Sequence, residues 1–167
     1  MVDFWGNEDL LRLPKTAFLA ASNIPPDMVL KCYDWAVRMV DEGRCMISGF
    51  SSHLEKEVFH FLAKGRQPII LVLARKMYKE IPPELQELLN QNRLLIVSVS
   101  NAVRQSKATA LIRNRYICEF ADSIVFVGVT AESSLFPLSE EFDDKLAANI
   151  PELLDPIVLA HRMSDTL

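Results

Sequence analysis

The chain has 167 residues, 50% of them apolar, which is enough for one domain with a full core and too few for two of ordinary size. No stretch approaches the roughly 20 apolar residues needed to cross a bilayer, and the N-terminus, with Asp3, Glu8 and Asp9, lacks the charged-then-apolar pattern of a secretion signal, so a cytoplasmic protein with no membrane partner is expected. A net charge of −4 argues against a uniformly basic nucleic-acid coat, although residues 75–115 hold eight Lys/Arg against three Glu, and residues 119–155 hold nine acids against Lys145 alone.

Residues 16–21 read as a short, continuously apolar strand, and Pro25-Pro26-Asp27 then starts a helix, since proline suits the first turn. Val29, Tyr33, Ala36, Val37 and Val40 line one side of that helix, and Gly43 stands where a left-handed cap belongs. Cys45-Met46-Ile47 is a second buried strand. After Gly49, Ser52 followed three places on by Glu55 fits a capping box, with Leu54, Val58, Phe61 and Leu62 as the apolar face and Gly65 as the stop. Residues 68–74 are apolar, rich in β-branched side chains and bounded by breakers, a strand expected near the centre of a sheet. Pro82-Pro83 opens a short helix through Leu85, Leu88 and Leu89, and residues 94–99 form a fourth strand. A helix over residues 109–121 leads into a fifth strand at 123–129. An acidic helix over 139–154 and a short sixth strand at 157–159 complete the pattern, while residues 1–14 carry no readable periodicity.

Strands that alternate with helices and are apolar on both faces predict an α/β fold. The expectation is a three-layer, Rossmann-like, doubly wound domain with a mainly parallel sheet of five to six strands, one unit over residues 1–167, its core over 15–137 and its acidic helix and last strand within 138–160. Such sheets bind ligands beyond the carboxyl ends of their strands, which directs attention to residues 22–23, 49–53, 75–76, 98–107 and 128–134. Cys32, Cys45 and Cys118 are odd in number and embedded in apolar runs, so buried thiols are expected rather than a disulfide framework or zinc site.

The succession of strand, Ile47-Ser48-Gly49, helix, PIILVLA, Ile81-Pro82-Pro83, strand, Arg113-Asn114-Arg115 and strand resembles the nucleotide-binding core of the DNA-processing protein A family, over roughly residues 15–137. Ser48-Gly49 is similar to that family's second-strand turn, Arg113-Asn114-Arg115 to its Arg-Asn-Arg triplet, and Pro82-Pro83 to its Tyr-Pro-Pro turn. The family's Gly-Ser-Arg turn is Ala21-Ser22-Asn23 here, its Arg-Gly-Ile-Asp stretch is Ser52-His53-Leu54-Glu55, and its later Ser-Gly is Ser133-Ser134. The resemblance implies binding of a nucleotide or single-stranded DNA, a homodimer, and a recombinase partner. The wider superfamily resembles phosphoribohydrolases, whose Pro-Gly-Gly-X-Gly-Thr loop is absent from this chain. A nucleotide sensor, a nucleotide-hydrolysing enzyme using Glu55 or Glu132 as acid or base, and a scaffold that binds nothing small are the competing readings.

The expected ligand-binding set is Ser22, Asn23, Gly49, Ser51, Ser52, Arg113, Asn114, Arg115, Ser133 and Ser134. Gly49 would allow a tight turn and close backbone approach, and the helix start beyond it, with the Ser51 and Ser52 hydroxyls, would offer donors to a phosphate; the plainer reading is a turn and a cap. Arg113 and Arg115, two apart on a helix, point about 200° apart and so have different tasks, one at a phosphate and the other in local structure. Surface ion pairs are the plain alternative for both. Arg75, Lys76, Arg104 and Lys107 would extend a basic patch or merely be solvated, and Tyr78, Phe50 and Tyr116 are the few aromatics available for stacking on bases. His53 and His60 lie two turns apart, about 10 Å along the axis, too far to share an ion, so no metal is expected. A lone glycine is no dinucleotide fingerprint, no catalytic constellation is recognisable, and no cofactor is called for.

Overall fold

A computed structural model of the protein describes residues 2–147. The chain opens on a short strand, β1 (Asp3–Gly6), and a 3-10 turn over Glu8–Arg12. There follow β2 (Lys15–Ala20), α1 (Pro26–Glu42), β3 (Cys45–Ser48), α2 (His53–Ala63), β4 (Ile69–Leu73), α3 (Pro83–Asn90), β5 (Leu94–Ser98), α4 (Lys107–Phe120), β6 (Ser123–Val127) and α5 (Phe136–Glu141). The punctuation behaves as its chemistry requires. Pro26 and Pro83 each open a helix, and Gly43 closes α1 at φ 67, donating its N–H to the Met39 and Val40 carbonyls. The Ser52–Glu55 capping box opens α2, and Ser106 with Thr109 opens α4 in the same way.

The six strands lie in the order β1-β5-β4-β3-β2-β6. All pairings are parallel except that of β1 with β5, where Phe4 sits opposite Val97. The α/β, mainly parallel sheet is therefore as expected, but its sixth strand comes from the N-terminus. Residues 157–159, where a sixth strand was expected, lie outside the described residues. All four residues of β1 are exposed, so no buried face imposes a pattern on them.

Starting at β2, the chain steps outward through β3 and β4 to β5, and α4 then carries it back to β6 on the far side of β2. The winding direction thus reverses between β2 and β6, and the loops leaving those two strands part from one another, opening a crevice at their carboxyl ends. Alternate residues of β2 through β6 feed two cores. Phe18, Met46, Leu71, Ile96 and Val125 face α1, α2 and α3, where Trp35 stacks on Phe18 at 5.0 Å between ring centres. Leu19, Ile47, Val72, Val97 and Phe126 face α4, α5 and the N-terminal turn.

Where an acidic helix was expected from residue 139 on, the described residues give a helix that starts earlier and stops at Glu141, α5, and a 3-10 turn over Asp143–Lys145. Two anchors turn the chain there. The Lys145 ammonium donates to the Cys118 and Glu119 carbonyls, each at 3.0 Å, capping the C-terminus of α4, and Leu146 bridges to Ile124 beside β6. Residues 148–154 lie outside the described residues.

All three cysteines are buried and free. Burial pushes the Cys32 and Cys118 thiols up to about 12 and the Cys45 thiol to about 11, from an ordinary 9.0. The folded protein therefore holds these protons where the unfolded chain would release them, and this contribution to stability fades as pH rises above about 9. In native buffer at pH 8, none of the three is expected to react within minutes with an aromatic disulfide reagent, and three equivalents should react in denaturant. A rapid native equivalent would show that one of these sites opens.

Candidate functional site

The crevice between β2 and β6 is a cleft of about 660 Å³. From the end of β2 and the loop after it come Ala20, Ala21, Ser22 and Asn23; from the loop after β6 come Gly128, Thr130, Ser133 and Ser134. Ser51 and Ser52 at the start of α2, and Arg113 and Asn114 on α4, close the other side. Eight of the ten residues expected from the sequence thus meet in one place, although they lie on four separate segments. Ser22, Asn23 and Ser134 are exposed and unbonded among the described residues, whereas the Ser133 hydroxyl accepts from the Leu135 N–H at 3.2 Å.

Gly49 and Arg115 stand apart from this cleft. Gly49 is needed for a reason other than a turn: a Cβ there would lie 2.7 Å from Cδ, Nε and Cζ of Arg113, whose side chain lies flat against the glycine backbone. The left-handed residue is its neighbour Phe50, at φ 44. Ser48 holds this geometry by donating its hydroxyl to the Phe18 carbonyl at 2.7 Å and accepting the Phe50 N–H at 3.1 Å. Arg115 projects from the opposite side of α4, as its two-residue offset demands, and forms a forked pair with Glu141, Nη2 to Oε1 at 3.1 Å. That pair raises the Arg115 pKa and lowers that of Glu141, chiefly through the hydrogen bonds between them.

Arg113 is only 5% exposed. Its Nε donates to Asn114 Oδ1 at 3.0 Å and its Nη1 to Gln105 Oε1 at 3.3 Å, both neutral acceptors. Desolvation lowers its pKa, an effect opposed by the nearby Glu55 charge, and a guanidinium remains a cation throughout. Glu55 is itself 5% exposed and fully engaged. Its Oε1 accepts the N–H groups of Ser51 (2.9 Å) and Ser52 (3.2 Å), and its Oε2 accepts that of Ala20 (2.9 Å). The carboxylate therefore fills the anion cradle at the start of α2 and ties it to the end of β2. This corrects two expectations: those amides are not free for a phosphate, and Glu55 is not free for acid-base work. The Ser51 hydroxyl, accepting from Gln105 Nε2 at 3.0 Å, and exposed Glu132 remain at the cleft.

Gln105 escaped the sequence reading. It bridges Ser51 to Arg113 across 54 and eight residues respectively, and its only signal is its place just before the Ser106 cap of the helix that carries Arg113. On the other side of this bridge lies a second cleft, of about 320 Å³, reaching Phe50, Phe59, Arg75 and Tyr78. Arg75 lies over the Tyr78 ring at 5.4 Å. Arg104 and Lys107 are exposed and line neither cleft, as solvated charges do; Tyr116 stacks on Phe120 at 4.4 Å, away from both. His53 pairs with Glu57 while His60 borders the second cleft, and no cluster of three metal-ligating side chains occurs among the described residues.

This is a Rossmann-like domain with a cleft at the topological switch point. Its fold is shared with DNA processing protein A from Helicobacter pylori, a protein with a single-stranded DNA binding mode of its own (TM-score 0.71, 17% identity, 99% of this chain and 79% of that one). It is also shared with DNA processing protein A from Streptococcus pneumoniae (TM-score 0.72, 16% identity, 98% of this chain), of which it spans 60%. A molybdenum cofactor carrier protein from Chlamydomonas reinhardtii is more distant, at TM-score 0.51 and 11% identity over 81% of this chain and 74% of that one. No family model and no curated protein matches the sequence. The resemblance read from Ser48-Gly49 and Arg113-Asn114-Arg115 is thus met by the fold.

Among the described residues no helix is long and apolar enough to cross a membrane.

Proposed function

We propose that this chain is a cytoplasmic single-stranded DNA or nucleotide binding domain, a single unit that takes a phosphate of its ligand at the switch-point cleft. One observation carries the reading. The Arg113 guanidinium is a buried cation with neutral hydrogen-bond partners, and the nearest carboxylate, Glu55, spends its oxygens on three backbone amides. A buried charge without a dedicated counterion is costly, and a ligand phosphate supplies the missing anion with forked hydrogen bonds. The unbonded side chains of Ser22, Asn23 and Ser134 surround the same space and match the oxygens of a phosphate and sugar. Likeness to DNA processing protein A supports this ligand class and extends the proposal to a homodimer and a recombinase partner.

The test is fluorescence anisotropy of a labelled oligothymidylate over a salt series. Binding is expected to weaken with salt. Arg113→Ala should weaken it at least about tenfold and reduce the salt slope by about 0.7, the share of one phosphate on a single strand. Arg115→Ala should bind as the parent does, because its charge is spent on Glu141. Equal losses in the two variants would overturn the assignment of Arg113. A mononucleotide that binds as tightly as the oligomer would make the domain a nucleotide sensor.

A further inference from the structure

We propose that the second cleft, on the β4 side of Arg113, is a nucleobase compartment, so that the ligand lies across Arg113 with a phosphate at the switch point and a base against Tyr78. This rests on the phosphate reading of Arg113 and extends it to a different set of residues.

The two clefts share Ser51, Gln105 and Arg113, so they are the halves of one groove across the carboxyl edge of the sheet. Their chemistry differs. Among the described residues the switch-point half is lined mainly by hydroxyl and amide groups, with Glu55 and Glu132, and by no aromatic side chain. The β4 half has an apolar floor that includes Leu73 and Leu85, with Phe50 and Phe59 in contact at 5.1 Å between ring centres. Its volume of about 320 Å³ lies at the lower end of small-molecule sites, which span about 300–1,000 Å³, and suits one planar base rather than a dinucleotide. Tyr78 is half-buried, and burial raises its phenol pKa, so the ring presents a neutral face at physiological pH. The Arg75 guanidinium over that ring adds a cation at the rim, and the exposed ammonium of Lys56 adds another that no carboxylate pairs among the described residues. Glu84 is the only carboxylate on this lining. An apolar, aromatic floor under a cationic rim is the combination that stacks a base while holding its backbone, and a π-face accepts any base. Sequence preference is therefore expected to be slight.

The test uses the full chain and two probes of equal length, an oligothymidylate and its abasic counterpart, with a third oligomer carrying one 5-iododeoxyuridine for photocrosslinking. The expected results are tighter binding of the oligothymidylate than of the abasic strand, about tenfold weaker oligothymidylate binding by Tyr78→Leu, little change with Tyr78→Phe, and a crosslink on the peptide holding Tyr78. Because Tyr78 packs on the core, thermal melts of both variants check that the fold survives; Tyr78→Leu keeps the apolar contact and removes the ring with its hydroxyl, and Tyr78→Phe removes the hydroxyl alone. Equal affinity for base-bearing and abasic strands, with Arg113→Ala still weakening both, overturns the base compartment and leaves the phosphate reading standing. A crosslink on the Ser133-Ser134 loop in place of Tyr78 also overturns it. Failure of both strands to bind the parent protein removes the phosphate reading, and this inference with it.

Discussion

Glu55→Ala is expected to destabilise the fold by about 3 kcal/mol, a fall in melting temperature of about 6–12 °C for a chain of this size. The carboxylate is 5% exposed and accepts three backbone N–H groups, one from the end of β2 and two from the start of α2. Alanine would leave the buried Ala20 N–H without a partner and the part-buried Ser51 and Ser52 N–H groups at the edge of the cleft without theirs, and an orphaned buried group costs about 1–3 kcal/mol. It would also remove the charge that offsets the desolvation of Arg113. Glu55→Gln provides the graded comparison. Its single carbonyl oxygen can serve Ser51 and Ser52 together, in the place of Oε1, but its amide nitrogen would then face the Ala20 N–H, donor against donor. An intermediate loss of about 1–2 kcal/mol follows. Chemical denaturation of the three proteins with unchanged slopes would measure it. A Glu55→Ala protein as stable as its parent would show that water replaces the carboxylate, and that this acid is no structural keystone.

The same residue shows where sequence reading stops. Ser52 and Glu55 are three apart, and that spacing alone announces the capping box, because both partners lie on one helical turn. That Glu55 also reaches Ala20 is a contact across 35 residues, created only when β2 and β3 pair side by side. The strands were legible for a similar local reason: β2, β3, β4 and β5 are buried along their whole length, so apart from Lys15, Thr16, Ser48 and Ser98 at their ends each is an apolar run. β1 was illegible because its exposed Asp-Phe-Trp-Gly owes its strand character to pairing with β5 and to nothing in its own pattern. In the cleft, Ser22, Asn23, Asn114, Ser133 and Ser134 followed from the rule that ligands sit beyond strand ends, with the family resemblance supplying the choice among loops. Gln105 lies in the 98–107 loop that the rule picks out, but nothing singled it out there, since a glutamine in a loop carries no spacing signal until its two partners are in place. The opposite orientation of Arg115 was legible in its offset from Arg113, but the identity of its partner, Glu141, depends on how α5 lies against α4.

Gly49→Ala is expected to weaken oligonucleotide binding about as much as Arg113→Ala does, at least about tenfold, although residue 49 donates no side chain to any ligand. The new methyl would stand 2.7 Å from three atoms of the Arg113 side chain, and its other surroundings leave the arginine no equivalent resting place, since it is buried and held by Asn114 and Gln105. Either the guanidinium leaves for solvent and loses both partners, or the end of β3 moves away from α4; overpacking of this kind costs about 1–3 kcal/mol. The two causes separate in a double-mutant cycle. In an Arg113→Ala background the three atoms nearest the methyl are gone, so Gly49→Ala should there cost little in stability, and the coupling between the two changes should equal most of the destabilisation by Gly49→Ala alone. Additive losses would instead mean that glycine is required at this position by the backbone. The left-handed geometry belongs to Phe50 and not to Gly49, which favours the coupled outcome. A glycine and an arginine 64 positions apart in sequence then act as one feature, the glycine supplying the flat surface on which the arginine's charge is held at the mouth of the sheet.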